Sequence, residues 1–290
     1  MNSYSDEELR LLQQKAKDYI AYESDTHFKN EVITSLDEHA VDDLYDRFYT
    51  SLSFGTAGMR GVIGGGTNRI NPLMIRRVTQ GLASYLLTQE DSPSVVIAYD
   101  SRNYSHSFAM SAALTLCANN IVVYLYDSLR PVPLLSFAVQ YLKATSGIVI
   151  TASHNPAKYN GYKVYYSDGG QVTPPHDIGI AEMVARVDND SIKNMSEQEA
   201  KRENLLREVP ESVDEAYDEL AISSLLRKES ISKQKVSVAY TPLHGSGDIP
   251  VRRILSKLGL EVHTVKEQQE ANGDFPTVSM PNPEDPEAMR

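Results

Sequence analysis

The chain has 290 residues, 41% of them hydrophobic, enough for one large domain or two ordinary ones with separate buried cores. Its formal charge is -11 and its Lys and Arg residues are scattered, so no concentrated basic face is offered to nucleic acid or an anionic membrane. The start, MNSYSDEELRLLQQKA, is acidic and polar, and no later stretch is apolar over the length that a membrane helix needs, which makes the cytoplasm the expected location. The one cysteine, Cys117 in AALTLCA, excludes an internal disulfide framework and a cysteine-built zinc cluster, and its apolar neighbours assign it to a core.

Residues 1–48 are rich in Asp, Glu, Lys and Leu, and Ser5 can cap a helix in which Leu9, Leu12 and Ala16 recur at helical spacing. They are predicted to form a helical N-terminal extension without catalytic groups. A glycine-rich loop, SFGTAGMRGVIGGG, then leads into a helical pattern (PLMIRRVTQGLASYLL) and a β-rich run (SVVIAYDSR). The alternation repeats: SFAMSAALTLCANN as helix, IVVYLYD as strand, PLLSFAVQYLKA as helix and SGIVITAS as a strand ending in a polar loop. YKVYYSD and a Gly169-Gly170 turn precede a further helix at IAEMVARV. This order predicts an α/β layer structure whose apolar strands are covered on both faces, with a first domain spanning 49–190.

Residues 187–233 are highly charged with sparse apolar repeats, the texture of an exposed connector carrying a helix or two. A second α/β unit comes next, with strand KVSVAYTPLHG, helix IPVRRILSKLG and strand LEVHTVKE before the Pro-rich loop FPTVSMPNPEDPEAMR. One crossover with two strands cannot bury both faces of a sheet, so 191–290 reads as linker plus an incomplete second domain.

The segment richest in chemistry is GIVITASHNPAKYNGYKVYYSDGGQ, where a buried strand delivers Ser153, His154 and Asn155 into a loop at its end, the usual place for active groups in α/β proteins. A serine hydroxyl is a weak nucleophile, and nearby His154, Lys163 and Arg60 would supply a proton acceptor and positive charge suited to phosphoryl transfer. A Ser-His-Asp hydrolase would present its histidine from another element, and no G-x-S-x-G elbow is present. Gly55–Gly66 lacks the Gly-Lys-Ser/Thr ending of a nucleotide loop. The seven histidines (27, 39, 106, 154, 176, 244, 263) show no metal-ligand spacing, and His244 in TPLHGSG reads as a structural loop residue. Tyr159 and Tyr162 read first as core packing, with lining of a sugar cleft as the alternative.

TASHNP, with YNGYKVY and DGGQ after it, resembles the phosphoserine loop of the α-D-phosphohexomutases, the phosphoglucomutase/phosphomannomutase superfamily. SFGTAGMRG is similar to that family's first active-site loop, VVIAYDSR and RPVPLLSFAV to later landmarks, and VAYTPLHGSG to the opening of its second domain. The helical extension and the Tyr-rich motif are most similar to the long phosphoglucomutase/phosphopentomutase branch. The resemblance implies a mixed sheet with covering helices in the first domain and the start of a second, similar α/β domain. It implies that Ser153 bears the phosphoryl group, that Arg60 helps to hold it, that Lys163 joins in acid/base catalysis and that His154 sits beside the transferring group. Thr56, Arg60, Asn155 and Lys163 would contact the substrate.

The implied reaction interconverts a hexose 1-phosphate and a hexose 6-phosphate, with glucose 1,6-bisphosphate as activator and intermediate and with sugar phosphates, rather than nucleic acid or membrane, as partners. Mg²⁺ would bind the phosphate on Ser153 and the aspartates of a D-x-D-x-D-R loop, which these 290 residues do not contain. The sugar-selecting loop and the carboxy-terminal phosphate-binding domain are expected in further domains of the complete enzyme. Two other classes remain: a truncated protein that binds sugar phosphates or a partner without turnover, and a structural protein regulated by charge at Ser153.

Overall fold

The computed structural model describes residues 4–56, 58–227, 231 and 236–288. Three helices, α1 (Asp6–Tyr22), α2 (Thr26–Asp37) and α3 (Val41–Phe48), form the predicted extension. The Ser5 hydroxyl accepts the Glu8 N–H while the Glu8 carboxylate accepts the Ser5 N–H, so two of the unpaired amides at the start of α1 are satisfied reciprocally. Of the residues read at helical spacing, Leu12 and Ala16 are buried and Leu9 is half-buried; Tyr19 joins Leu12 and Ala16 against Val32, Leu44, Phe48 and Leu73.

The extension is fastened to the first helix and the glycine-rich segment of the α/β unit. Leu73 is the second residue of α4 (Pro72–Gln89), and its N–H donates to buried Glu23 at 3.0 Å, supplying a free helix amide with a carboxylate from α1's C-terminus. Arg47 of α3 donates to Glu31 (2.8 Å), Asp43 (2.7 Å) and the Gly65 carbonyl (2.8 Å), while the Gly65 N–H donates to Glu31. The glycine-rich segment is therefore held by α2 and α3.

Six strands make one mixed sheet: β1 (Gly58–Val62), β2 (Ser94–Tyr99), β3 (Val122–Leu125), β4 (Ser146–Ile150), β5 (Tyr159–Tyr166) and β6 (Leu206–Glu208), in the order β1-β5-β4-β2-β3-β6. β4, β2, β3 and β6 run parallel; β5 is antiparallel to both β4 and β1. Alternation along β2 sends Val95, Ile97 and Tyr99 to one face and Val96 and Ala98 to the other. The first face packs under α4, α5 (Ser105–Ala118) and α7 (His176–Ala185), with Cys117 in that core; the second packs under α6 (Val132–Tyr141) and α9 (Glu211–Ser223). Burial on both faces is what the near-continuous apolar strands require.

The structure corrects two expectations. The segment SFGTAGMRGVIGGG is not loop throughout, because Gly58–Val62 forms edge strand β1. Its glycines hide the β pattern and serve the crossing instead: a Cβ at Gly58 (φ +152°) would lie 2.1 Å from the Tyr162 carbonyl oxygen. The supposed connector 187–233 likewise contributes β6, after short helix α8 (Glu197–Arg202), and then α9. Three residues with Arg207 and Glu208 among them give no alternation to read, and short charged strands are typical of sheet edges. Its residues 228–230 and 232–233 lie outside those described.

Beyond α9, β7 (Ser237–Tyr240), α10 (Asp248–Lys257) and β8 (Glu261–Thr264) form one parallel crossover. Ser237, Ala239, Glu261 and His263 are exposed, while Val238, Tyr240, Val262 and Thr264 are half-buried, consistent with the start of a second α/β domain. The two units are joined by ion pairs: Asp214 on α9 accepts from Arg130 at 2.8 Å and from Arg253 on α10 at 3.2 Å, and Asp218 takes Arg253 and Lys257.

Candidate active site

Parallel β2 and β4 lie side by side with Tyr99 opposite Ile150, so the loops leaving their carboxyl ends are neighbours. After β4 the Thr151 hydroxyl accepts the Ser153 N–H at 2.9 Å, and the Asn155 N–H donates to the Ala152 carbonyl at 3.1 Å. Ser153 adopts φ +55°, a left-handed conformation that costs a side-chain-bearing residue on the order of 1 kcal/mol and turns its hydroxyl out of the strand into solvent. That turn also brings two neighbouring side chains together. Adjacent side chains on an extended chain diverge, but here Ser153 Oγ lies 3.4 Å from His154 Nδ1. The separation exceeds hydrogen-bond reach for proton transfer, and among the described residues no carboxylate orients the ring, so no hydrolase triad results.

Lys163 comes from β5, in register with Gly58 of β1 and Val149 of β4. It is half-buried and makes no ion pair among the described residues. Burial, then the nearby Arg60 guanidinium, lowers its pKa below the ordinary lysine value, with Asp100 acting in the opposite direction. Arg60 stands on exposed edge strand β1 and donates to Asn155 Oδ1 at 3.2 Å, reaching across from β1 to the serine turn.

Ser153 and Lys163 line two recesses together. One, of about 480 Å³, is closed on the far side by Tyr240, Thr241, Leu243, Phe275 and Pro281 of the second unit, with His154 on its wall. The other, of about 330 Å³, is completed by Arg60, Thr151 and Gln171. The structure therefore gathers Ser153, His154, Asn155, Lys163 and Arg60. Thr56 is exposed in the loop before β1 and lines neither recess. Tyr162 is fully buried and meets Thr79 at 3.1 Å, which makes it core rather than cleft.

Sequence reasoning overlooked Arg102 and Asp100. Arg102 has no exposed side-chain surface; its two terminal nitrogens donate to the carbonyls of Ser153 (2.7 Å), Asn155 (2.5 Å), Pro156 (3.0 Å) and Tyr159 (3.1 Å). Asp100 accepts from the Arg102 N–H and from Ser105, and burial raises its carboxyl above the usual range against those hydrogen bonds. The available signal was a D-x-R directly after a fully apolar strand, where a charged pair must be partnered if it is buried.

The family described as phosphoglucomutase/phosphomannomutase matches twice, through its α/β/α domain I over residues 51–191 and its α/β/α domain II over residues 215–290. The chain belongs to this family of phosphomutase enzymes. It is 38% identical over 271 residues to a phosphoglucomutase of Staphylococcus epidermidis, covering 90% of this chain and 49% of that protein. With the phosphopentomutase of Homo sapiens it shares 32% identity over 96% of this chain and 47% of the human one. The fold matches the crystal structure of a phosphoglucomutase/phosphomannomutase family protein from Burkholderia thailandensis, with TM-score 0.64 and 22% identity over 82% of this chain and 48% of that one. The chain thus spans about half the length of the curated relatives it matches.

Proposed function

We propose that the chain is the amino-terminal part of a mutase that interconverts a hexose 1-phosphate and a hexose 6-phosphate through phosphorylated Ser153 and a 1,6-bisphosphorylated sugar. The observation that carries this reading is the convergence of an exposed, turned-out Ser153 with half-buried Lys163 and exposed Arg60 on one cleft. A sugar hydroxyl oxygen attacks phosphorus and the bond from phosphorus to Ser153 Oγ breaks; Ser153 Oγ then attacks the phosphorus at the other end of the bisphosphorylated sugar, that sugar oxygen leaves, and the phosphoserine is restored. Lys163, its pKa lowered by burial and by Arg60, takes the hydroxyl proton as the new bond forms. Arg60 and Asn155 neutralise and orient phosphate oxygens, and His154 flanks the transferring group.

Mg²⁺ belongs to this reading through the phosphate on Ser153. Among the described residues no group of three His, Cys, Asp or Glu side chains stands where it could hold a metal, so they do not supply its carboxylates and no step is routed through it. No described helix is long and apolar enough to cross a membrane, and a buried single thiol without disulfides fits a cytoplasmic location.

The test is incubation of the chain with the downstream domains of the enzyme restored, in glucose 1,6-bisphosphate and Mg²⁺, then mass mapping of the Ser153 peptide and a coupled assay of glucose 1-phosphate conversion. Phosphate on Ser153 that is passed to glucose 6-phosphate, and is absent in Ser153→Ala, is expected; modification elsewhere alone would sink the reading. A second reading, a sugar-phosphate-binding chain without turnover, is favoured by the lack of a metal cluster among the described residues. Saturable binding with Ser153 never phosphorylated would select it.

A further inference from the structure

Residues 270–278 of the second unit are pinned on two sides. Within their own unit, His244 Nδ1 lies 2.8 Å from the Glu270 carbonyl and its Nε2 lies 2.9 Å from Thr277 Oγ1, while the Asn272 N–H donates to the His244 carbonyl at 3.3 Å. The ring is 2% exposed, so these bonds are shielded from water. Toward the first unit, Asn103 Nδ2 donates to Asp274 Oδ1 at 2.6 Å. Gly273 passes so close to Asn103 that a Cβ there would lie 2.4 Å from the Asn103 nitrogen. Between these contacts the buried Phe275 ring has its centroid 5.1 Å from Arg102 Cζ, a cation–π arrangement in a desolvated setting.

Arg102 is the same guanidinium that collects four carbonyls of residues 153–159. Its remaining donor, Nε, is buried without a hydrogen-bond partner, 3.5 Å from Asp100 Oδ2. Its position is thus set by the serine turn on one side, Asp100 on another and the Phe275 ring of the second unit. Between Ser153 and Tyr159 the turn's other bonds are Ser153 N–H to the Thr151 hydroxyl, Asn155 to Ala152, Tyr159 to Pro156, Ile63 to the Lys158 carbonyl and exposed Arg60 to the Asn155 side chain, and Ser153 itself sits in a disfavoured backbone region, so the four carbonyl contacts of Arg102 are the largest single set.

We propose that Phe275 and Arg102 are positioning residues that couple the Ser153 turn to the docking of residues 270–278, so that the turn keeps its geometry only while the second unit is seated on the first. The catalytic consequence rests on the mutase reading; the mechanical coupling does not. In the serine turn Arg102 donates to backbone carbonyls and not to the hydroxyl that would carry phosphate, so it acts through the turn.

The experiment is hydrogen–deuterium exchange, read by mass spectrometry over residues 151–161 of the 290-residue chain, for wild type, Phe275→Ala, Phe275→Tyr and Asn103→Ala. In Phe275→Ala the turn should exchange about tenfold faster, with β2 and β4 unchanged, because a local opening has been made cheaper while global stability is kept. Phe275→Tyr keeps the ring and should restore wild-type protection; Asn103→Ala leaves the ring and removes the second tether, and should give a smaller, equally local increase. Unchanged exchange in the turn of both Phe275→Ala and Asn103→Ala overturns the proposal. So does equal acceleration in β2, β4 and the turn, which would make Phe275 an ordinary core residue. Should Phe275→Ala fail to fold, Asn103→Ala decides alone. Failure of glucose 1,6-bisphosphate to phosphorylate Ser153 in the protein with its downstream domains restored would remove the mutase reading and leave the exchange result standing.

Discussion

Arg60 Nη1 donates to Asn155 Oδ1 at 3.2 Å, bridging residues 95 positions apart between the edge strand β1 and the turn that carries Ser153. Asn155 is thereby held at the mouth of the cleft, and Arg60 is held near Lys163. Asn155→Ala should free Arg60 and reduce kcat/KM for hexose phosphate about tenfold or more, the scale of one lost oriented contact to a charged group. Steady-state kinetics beside the thermal melting temperature checks this, with melting expected to move little because Arg60 is exposed and Asn155 is only half-buried.

Lys163 carries the pH dependence. Its folded-state pKa is lowered, so between that value and the ordinary 10.5 the unfolded chain binds more protons than the folded one. Stability contributed at this position is therefore poorest below the lowered pKa, where a half-buried ammonium must be kept desolvated, and improves as pH rises through the window. Removing the Arg60 charge removes one of the causes of lowering, so Arg60→Gln should shift the Lys163 titration upward. NMR titration of reductively methylated lysines, with Lys163→Arg to assign the signal, reads the shift directly; a downward move would refute the electrostatic account.

Lys163→Met separates function from stability at the same position. The apolar stem is kept and the buried charge is lost, so urea unfolding should show stability unchanged or slightly raised. Phosphoryl transfer should fall by about 10²- to 10⁴-fold, the range for loss of a general acid/base. Lost activity together with a large loss of stability would point to a structural lysine.

Glu23 is a buried carboxylate that accepts the Leu73 N–H at 3.0 Å and the Tyr19 hydroxyl at 3.1 Å, with Arg76 3.8 Å away. Glu23→Leu would leave a buried helix amide without its acceptor, at about 1–3 kcal/mol. Urea denaturation should register that loss, and Glu23→Gln, which retains an acceptor oxygen, should recover part of it.

The order of helices and strands in the first unit was legible because each long element carries its own pattern: a short, β-rich apolar run in SVVIAY, and helical spacing at Leu9, Leu12 and Ala16. Ser153, His154, Asn155 and Lys163 were legible because they fall within one continuous segment with a recognisable family pattern. β1 and β6 were not. A five-residue strand with two glycines, set in a glycine-rich run, shows too few side chains to reveal alternation, and a three-residue edge strand is defined by its partner β3 rather than by its own residues.

By itself the sequence determined composition, periodicity and the chemistry available near Ser153, since these depend only on residue type and local spacing. Tertiary structure alone decided how distant groups meet. It brought Arg102 from the end of β2 under the carbonyls of the turn after β4, set Phe275 of the second unit against that guanidinium, and turned Ser153 out at φ +55° so that His154 came near its hydroxyl. Those outcomes arise from strand order and backbone hydrogen bonding across the sheet, which no short window of residues encodes.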